Sequence, residues 1–242
     1  MLEVHFVANV YVGGKRKRGR RIWLILIIII AIIVALLGFM FYRYNQFVNN
    51  PVASSSKLTY TVSYDDGLYF IRVLNDNRKI MIVKVEDGTT FPESYITLSS
   101  ENLNKATNDF LDLFDLNSNV NYYFYLNDQV ANEFISKLGG SDLKGIDGVF
   151  DALKNSEIRF WQVFGLGGYV DIVKNYDRST NLDEAGTYAL INGFSKYSIT
   201  NYDKLTVPLL LNEPLQINIA NQTIERKYAN VEAFERIKEI VE

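Results

Sequence analysis

The sequence predicts an α/β protein with one membrane-spanning helix at its N-terminal end, and two patterns carry this prediction. The first is Ile22–Tyr42, an uncharged run dominated by Ile and Leu. The second begins near residue 57, where short β-branched and aromatic segments alternate with segments of helical period. Such alternation is typical of helices packed on a sheet. We therefore expect three layers, α/β/α, around a mixed sheet.

The uncharged run has the length of a bilayer-spanning helix. At about 1.5 Å per residue it would measure about 31 Å, close to the ~30 Å hydrocarbon core. Positions 15–21 contain six cations, which favour a cytoplasmic N-terminus. The alternative is a cleaved signal peptide, but its apolar region is typically about 7–15 residues long. We expect a retained anchor in the cell membrane, with these parts: a cytoplasmic basic tail, 1–21; the span, 22–42; a linker, 43–57; and an extracytoplasmic domain, 58–242.

Charge and composition exclude several functional classes. Residues 1–43 carry seven cations and one acid, a net charge of +6; the whole chain is −3, which leaves −9 for residues 44–242. An acidic outer domain is a poor match for nucleic acid, so no such partner is expected. The chain has no cysteine, which excludes thiol nucleophiles, disulfides and Cys-type zinc sites and is typical of a bacterial envelope protein. The one histidine, His5, lies on the predicted cytoplasmic side, so histidine catalysis is excluded from the outer domain.

The first third of the outer domain is predicted to be strands. Lys57–Tyr64 alternates with period two, while Leu68–Leu74 and Ile80–Val85 are almost wholly apolar. Runs of the latter kind are typical of central strands covered on both faces. Asn75–Asn77 supplies the turn between them, because Asn and Asp tolerate positive φ.

Helices and further strands follow. Apolar residues at helical spacing predict a helix over Leu103–Phe114, with Ser99 or Ser100 as its cap. Tyr122–Tyr125 belongs to a strand that we expect in the sheet interior, next to Leu68–Leu74 or one strand away. The next predicted helix is capped by Asn127 or Asp128 and ended by Gly139-Gly140. Further helices are predicted over Ile146–Leu153, after a cap at Thr180-x-x-Asp183, and from Val231 onward. The glycines at Gly165–Gly168 predict a loop, and strands are predicted at Leu205–Pro208 and Leu215–Ile219.

Taken in order, these segments resemble the LytR-CpsA-Psr family over roughly Thr59–Pro208. Asp66–Val73 and Ile80–Thr89 are similar to the family's Asp-led strand pair, which ends in a Pro-Arg-Asp-Thr-like signature. Val120–Gly140 resembles its strand–helix unit ending in Gly-Gly. Leu103–Thr107 resembles the start of the family's next helix, and Leu143–Leu153 resembles the stretch before its paired arginines. Asn181–Glu184 and Leu205–Pro208 are similar to its last helix and last strand.

The resemblance implies a membrane-anchored α/β domain that transfers glycopolymers from a polyprenyl-pyrophosphate carrier to the cell wall. Arginines in this family bind the pyrophosphate, and here several are missing. The signature arginine position falls on Glu86, with Asp87 kept; Glu157 takes the first paired-arginine position and Arg159 the second. At ~6 Å and an effective dielectric of about 20, each added anion would repel each phosphate charge by roughly 3 kcal/mol. An aromatic stretch, Phe160–Gly165, replaces the later arginines.

We therefore expect a binding protein on a transferase-like fold, not an enzyme and without a cofactor. Its partners would be membrane lipid and an envelope glycan, a polyprenyl-linked ligand or an envelope protein. A cleft between the sheet and the Leu103–Phe114 helix could hold an acyl or polyprenyl chain.

Two alternatives stay open at this point. One is an active transferase with a rearranged site, holding Mg²⁺ on Asp66 and Asp87 and phosphate on Arg159 or Arg72. The other is a structural anchor that acts by protein contacts. Convergence of the four candidate residues on one pocket would favour the enzyme. Glu86 and Glu157 in that pocket, without compensating cations, would exclude it.

Overall fold

The computed structural model describes residues 18–211, 213–219 and 222–241, without the side chains of residues 18–21, 218, 219 and 222–224. The chain divides into two units, residues 1–42 and 43–242. The first contains most of helix α1, Arg18–Val48. The N-terminal tail with His5, and Lys15–Lys17 of the cation cluster, lie outside the described residues.

Helix α1 contains the predicted apolar run. Its segment Ile22–Val48 is long and apolar enough to cross a membrane. The most apolar stretch of 18 residues has a mean hydropathy of 3.4, and none of it is buried within the protein. By length and composition it is a candidate membrane span, as the uncharged run predicted.

Within its described residues, the second unit contains nine strands of three to eight residues. Their bounds are β1 Lys57–Tyr64, β2 Gly67–Leu74, β3 Lys79–Glu86, β4 Thr89–Phe91, β5 Ile96–Leu98, β6 Val120–Leu126, β7 Tyr202–Thr206, β8 Leu215–Ile219 and β9 Gln222–Tyr228. Five form a sheet in the order β6-β1-β2-β3-β7 and four a smaller sheet in the order β5-β4-β9-β8. In the larger sheet, β1–β2 and β2–β3 are antiparallel, whereas β6 runs parallel to β1 and β7 parallel to β3. The sheet is therefore mixed, as predicted.

Six further helices and two 3₁₀ turns complete the unit. The helices are α2 Leu103–Leu113, α3 Asp128–Leu138, α4 Gly145–Asn155, α5 Leu166–Tyr176, α6 Glu184–Tyr197 and α7 Val231–Val241. The 3₁₀ turns are Ser100–Asn102 and Gln162–Gly165. The Asn127 side chain accepts a hydrogen bond from Val130 N at the start of α3, and Gly139 ends that helix with φ 90°.

The alternation of side chains along the strands creates two cores, one on each face of the larger sheet. On one face, alternate residues of β1–β3 pack with α3, α4, α5 and α6, and Tyr60 stacks on Tyr122 at 5.3 Å between ring centroids. On the other face, Phe70 stacks on Phe110 of α2 at 4.0 Å, and Phe114 contacts Phe234 of α7. The predicted three-layer α/β/α arrangement is thus confirmed.

Three details differ from the sequence-based expectations. Strand β6 lies one strand from β2, as expected, but it forms an edge of the larger sheet and not its interior. The predicted loop Gly165–Gly168 is wrong, because α5 begins at Leu166 and buries an apolar stripe that includes Tyr169 and Val173. The smaller sheet was not predicted.

The last turn of α1 belongs to the second unit. Phe47 is only 5% exposed and its ring stacks on Tyr188 of α6 at 5.8 Å. Arg43 lies over the Phe47 ring and donates to the Glu184 carboxylate at 2.7 Å. The residues of the predicted linker nearest the span are therefore helical and packed on the domain.

Candidate functional site

Asp66 and Asp87, the two candidate metal ligands, lie at the same end of the larger sheet. Asp66 is in the turn between β1 and β2, where Asp65 adopts a φ of 51°. Asp87 follows β3, and its backbone N–H donates to the Asp66 carbonyl at 2.9 Å. The antiparallel pairing of β2 with β3 places these turns side by side, since Gly67 is opposite Glu86. The backbones of the two aspartates therefore meet at this end of the sheet.

The Asp87 side chain has a structural role at this end of the sheet. One carboxylate oxygen accepts from Ser100 N at 2.6 Å and the other from Ser100 Oγ at 2.5 Å. These bonds fix the 3₁₀ turn that leads into α2. Within the described residues, no three His, Asp or Glu side chains form a group suited to a metal ion. Asp87 therefore orders the turn before α2, and the candidate magnesium site stays a prediction.

Acidic side chains dominate the surroundings of this pair. Tyr64 donates to Asp128, which raises the pKa of Tyr64 to about 12. Burial, assisted by Asp147 and Asp65, raises the pKa of Tyr69 to about 12. Asp65, Asp128 and Asp147 thus lie close to these two tyrosines at the aspartate end of the sheet.

The cations at this end have partners of their own. Lys227 lies 3.3 Å from the Glu86 carboxylate, and Lys204 pairs with Asp147. Lys84 stands over the Tyr69 ring at 5.7 Å. Glu86, which occupies the signature arginine position, is thus neutralised by a cation from the smaller sheet.

Arg72 lies far from the aspartates along β2. It is the sixth residue of that strand, so about 20 Å separate it from the Asp66 turn at ~3.3 Å per residue. Arg72 is 2% exposed, and its Nη2 donates to the Asn117 carbonyl at 2.8 Å. Among the described residues, its Nε and Nη1 have no hydrogen-bond partner. Burial lowers the pKa of Arg72 to about 10.

Arg159 is separated from the aspartates by the length of α4. That helix begins at Gly145, next to the Tyr64 hydroxyl at the aspartate end of the sheet, and runs about 15 Å to Asn155. Arg159 comes four residues later, where its guanidinium stands over the Trp161 ring at 5.6 Å. The four candidates therefore do not converge: Asp66 and Asp87 meet, while Arg72 and Arg159 each lie elsewhere.

Arg159 and Glu157 both line a cavity of about 480 Å³, which we call the Trp161 cavity. Leu138, Ile158, Leu166, Tyr169 and Ile191 supply apolar and aromatic surface to it. Polar groups come from Lys137, Asn155, Ser156, Glu157, Arg159 and Gln162. Trp161 is 48% exposed in this cavity, and the Tyr169 hydroxyl is held by the Lys137 carbonyl at 2.9 Å. The cavity combines a half-exposed aromatic ring, with Arg159 over it, and several hydrogen-bonding groups.

The predicted apolar cleft between the sheet and α2 is filled by side chains. Phe70, Phe110 and Phe114 are fully buried there. The ring centroid of Phe110 lies 4.0 Å from that of Phe70 and 4.6 Å from that of Phe114. The described residues leave no room at that position for an acyl or polyprenyl chain.

Sequence reasoning did not find the Trp161 cavity as a site. In the sequence, the aromatic stretch Phe160–Gly165 stands where the family resemblance places arginines. The neighbouring Asn155, Glu157 and Gln162, together with Trp161, are residue types that bind polar ligands with an apolar face. Lys137 and Ile191 come from α3 and α6, and no local pattern joins them to that stretch.

Comparisons with known proteins found solved structures only. No family model and no curated protein matches the chain. The chain is similar to the Lin1025 protein of Listeria innocua, at 12% identity and a TM-score of 0.49, over 76% of this chain and 96% of that one. It is similar to the LytR-CPS2A-psr family protein YwtF (TagT) with bound octaprenyl pyrophosphate lipid, at 12% identity and 0.44, over 78% and 90%. It is also similar to TagV of Bacillus subtilis, at 10% identity and 0.43, over 77% and 95%.

The LytR-CPS2A-psr family, which the order of sequence segments resembles, is thus represented among the structural neighbours of this chain. With these TM-scores below 0.5 and identities of 12% or less, the likeness decides neither the ligand nor the activity of the chain.

Proposed function

We propose that this chain is a single-pass, membrane-anchored protein of the bacterial cell envelope. Its outer LytR-CpsA-Psr-like domain binds an envelope glycan and does not transfer glycopolymers. The apolar part of α1 supports the anchor, and the cation cluster before it supports a cytoplasmic N-terminus. The binding site is the Trp161 cavity.

The argument against transfer rests on how the charges are placed. A pyrophosphate leaving group needs cations and a metal at one point. Here Asp66 and Asp87 lie near other acidic side chains, and the Asp87 carboxylate accepts hydrogen bonds from Ser100. Arg159 lies beyond the far end of α4. An active transferase with a rearranged site is supported by one observation alone, the contact between Asp66 and Asp87.

The observation that carries the glycan assignment is the half-exposed Trp161 ring in a cavity lined by planar polar side chains. Sugars present apolar C–H faces together with a circumference of hydroxyl groups. An aromatic ring can stack on the apolar C–H face of a sugar. Asn155, Gln162 and Glu157 are side chains of the kind that hydrogen-bond to its hydroxyl groups. The cavity volume of about 480 Å³ is within the range of small-ligand sites. Two of these side chains are held in place by the protein, since Asn155 Nδ2 donates to the Asp151 carbonyl and Gln162 Oε1 accepts from the Arg159 N–H.

Titration of the detergent-solubilised full-length protein with the tetrasaccharide of N-acetylglucosamine, together with sedimentation with purified cell-wall glycan, tests this assignment. We expect binding that Trp161→Ala weakens at least about tenfold, because the stacking surface is lost. Tyr176→Ala removes an equally exposed aromatic ring, 48% exposed, outside the cavity and should leave binding unchanged. Absence of binding to both glycans, or equal binding by the Trp161→Ala variant, would show the assignment to be wrong.

A further inference from the structure

A second recessed surface lies between the β4–β5 hairpin, the end of α2 and helix α7, within the part of the molecule that packs around the smaller sheet. Its volume is about 260 Å³. Phe91, Leu113 and Phe234 form an apolar floor, and each is at most 9% exposed. Phe91 and Phe234 meet edge to face at 4.9 Å, so the floor is fixed by the core beneath it. We call this surface the acidic groove, for the reason that follows.

Carboxylates surround the apolar floor. Glu93, Asp112 and Glu235 line the groove, against one lysine, Lys238. Within the described residues, none of these three acids takes part in an ion pair. These four side chains therefore give the rim a net charge of about −2. Unpaired charges around a hydrophobic floor are typical of a surface whose partner supplies the opposite charge.

An exposed aromatic side chain stands next to the groove. Tyr95 is 86% exposed, and the hairpin that carries it contributes Glu93, Ser94 and Ile96 to the groove lining. Its backbone adopts a φ of 56°, a conformation that non-glycine residues rarely take, and its N–H donates to the Phe91 carbonyl at 2.9 Å. A tight turn thus holds an aromatic ring in solvent beside an apolar floor, and exposed Tyr is enriched where proteins bind proteins.

We propose that the acidic groove binds a protein segment that inserts one or two apolar side chains and carries Lys or Arg on either side of them. The volume suits one or two side chains and is below the usual size of small-molecule sites. The acidic rim repels phosphates and so disfavours anionic lipid and nucleic acid. This surface lies outside the Trp161 cavity and does not depend on the glycan assignment.

Fluorescence anisotropy of labelled hexapeptides with the full-length protein in a neutral detergent tests the proposal. The probe is Lys-Lys-Leu-Phe-Lys-Lys, compared with Glu-Glu-Leu-Phe-Glu-Glu and Lys-Lys-Ser-Ser-Lys-Lys, and each is read against empty micelles. We expect binding of the first peptide alone, weakened by salt. The double variant Glu93→Gln/Glu235→Gln should lose affinity by about tenfold or more, with an unchanged melting temperature.

The matched control is Glu133→Gln/Asp171→Asn, which removes two exposed carboxylates from α3 and α5 on the other face of the larger sheet. It should bind the peptide like the wild type. An equal loss in the control would show general charge attraction, and equal binding of the Ser-containing peptide would show that the floor is not used; either result overturns the proposal. A dimer in sedimentation that dissociates in the Glu93→Gln/Glu235→Gln variant would assign the groove to a second copy and also overturn it.

Discussion

Arg72 carries a buried charge that the surrounding described residues do not compensate. The side chain is 2% exposed, makes one hydrogen bond to Asn117, and leaves Nε and Nη1 without acceptors. Burial alone accounts for the lowering of its pKa to about 10. Such an arrangement costs free energy, because most of the guanidinium is removed from solvent and only Nη2 has a hydrogen-bond acceptor among the described residues.

Replacing Arg72 by Met is therefore expected to stabilise the domain. Met fills a similar volume and removes the unpaired donors, a gain of about 1–3 kcal/mol in the free energy of unfolding. The Asn117 carbonyl that loses its donor belongs to an exposed residue and can bond to water. Thermal unfolding of the full-length protein measures the change. Arg178→Met, at an exposed position, should stay within about 0.5 kcal/mol of wild type. A less stable Arg72→Met variant would show that the charge is compensated.

Asp87 illustrates at the same scale why a site residue cannot be assigned from its type. An aspartate after a strand is a reasonable metal ligand by chemistry, and its proximity to Asp66 followed from the hairpin order. Its hydrogen bonds to Ser100 form because the β4–β5 hairpin brings Ser100, thirteen residues later in the chain, next to Asp87. No pattern around position 87 indicates that contact.

Elements with a strong local signal were predictable, and those fixed by distant packing were not. Asn127 and Gly139 mark the ends of α3 by side-chain capping and by a positive φ, so they could be identified from the chain alone. The glycines at 165–168 suggested a loop, yet Leu166, Tyr169 and Val173 have helical spacing and are buried in α5. Strand β9 has few apolar residues and is paired with β8 and β4, so its pattern was not distinctive.

The last turn of α1 offers a test at the scale of one element. Phe47 packs on Tyr188, and Arg43 pairs with Glu184, so this turn should behave as part of the domain. We expect Phe47→Ala to cost about 3–5 kcal/mol in the free energy of unfolding, as for other buried Phe residues. Urea unfolding followed by tryptophan fluorescence provides the measurement.

Val48→Ala is the control for that experiment, since Val48 belongs to the same turn and is 40% exposed. It should lower stability far less than Phe47→Ala. Equal and small effects of both substitutions would instead mean that the turn is a mobile linker, as the predicted boundary at residues 43–57 implies.

At the scale of the whole molecule, the layers could be predicted but the distribution of charge could not. Alternating strands and helices indicated the three layers, and the sequence also indicated that arginines are missing. The separation of Arg159 from Asp66 depends on the direction of α4 and on the 3₁₀ turn after it, which position Arg159 over Trp161. These are long-range consequences of packing. The argument against glycopolymer transfer follows from that separation.

Isothermal titration of the full-length protein in detergent with a polyprenyl pyrophosphate, with and without Mg²⁺, tests this account most directly. The acids around Asp66 and Asp87 and the distance to Arg159 predict weak binding that does not require Mg²⁺. Asp66→Ala and Arg159→Ala should leave it unchanged, as should the exposed controls Asp76→Ala and Arg178→Ala. Submicromolar, Mg²⁺-dependent affinity that is lost in Asp66→Ala or Arg159→Ala, but kept in the controls, would contradict the account and establish a working pyrophosphate site.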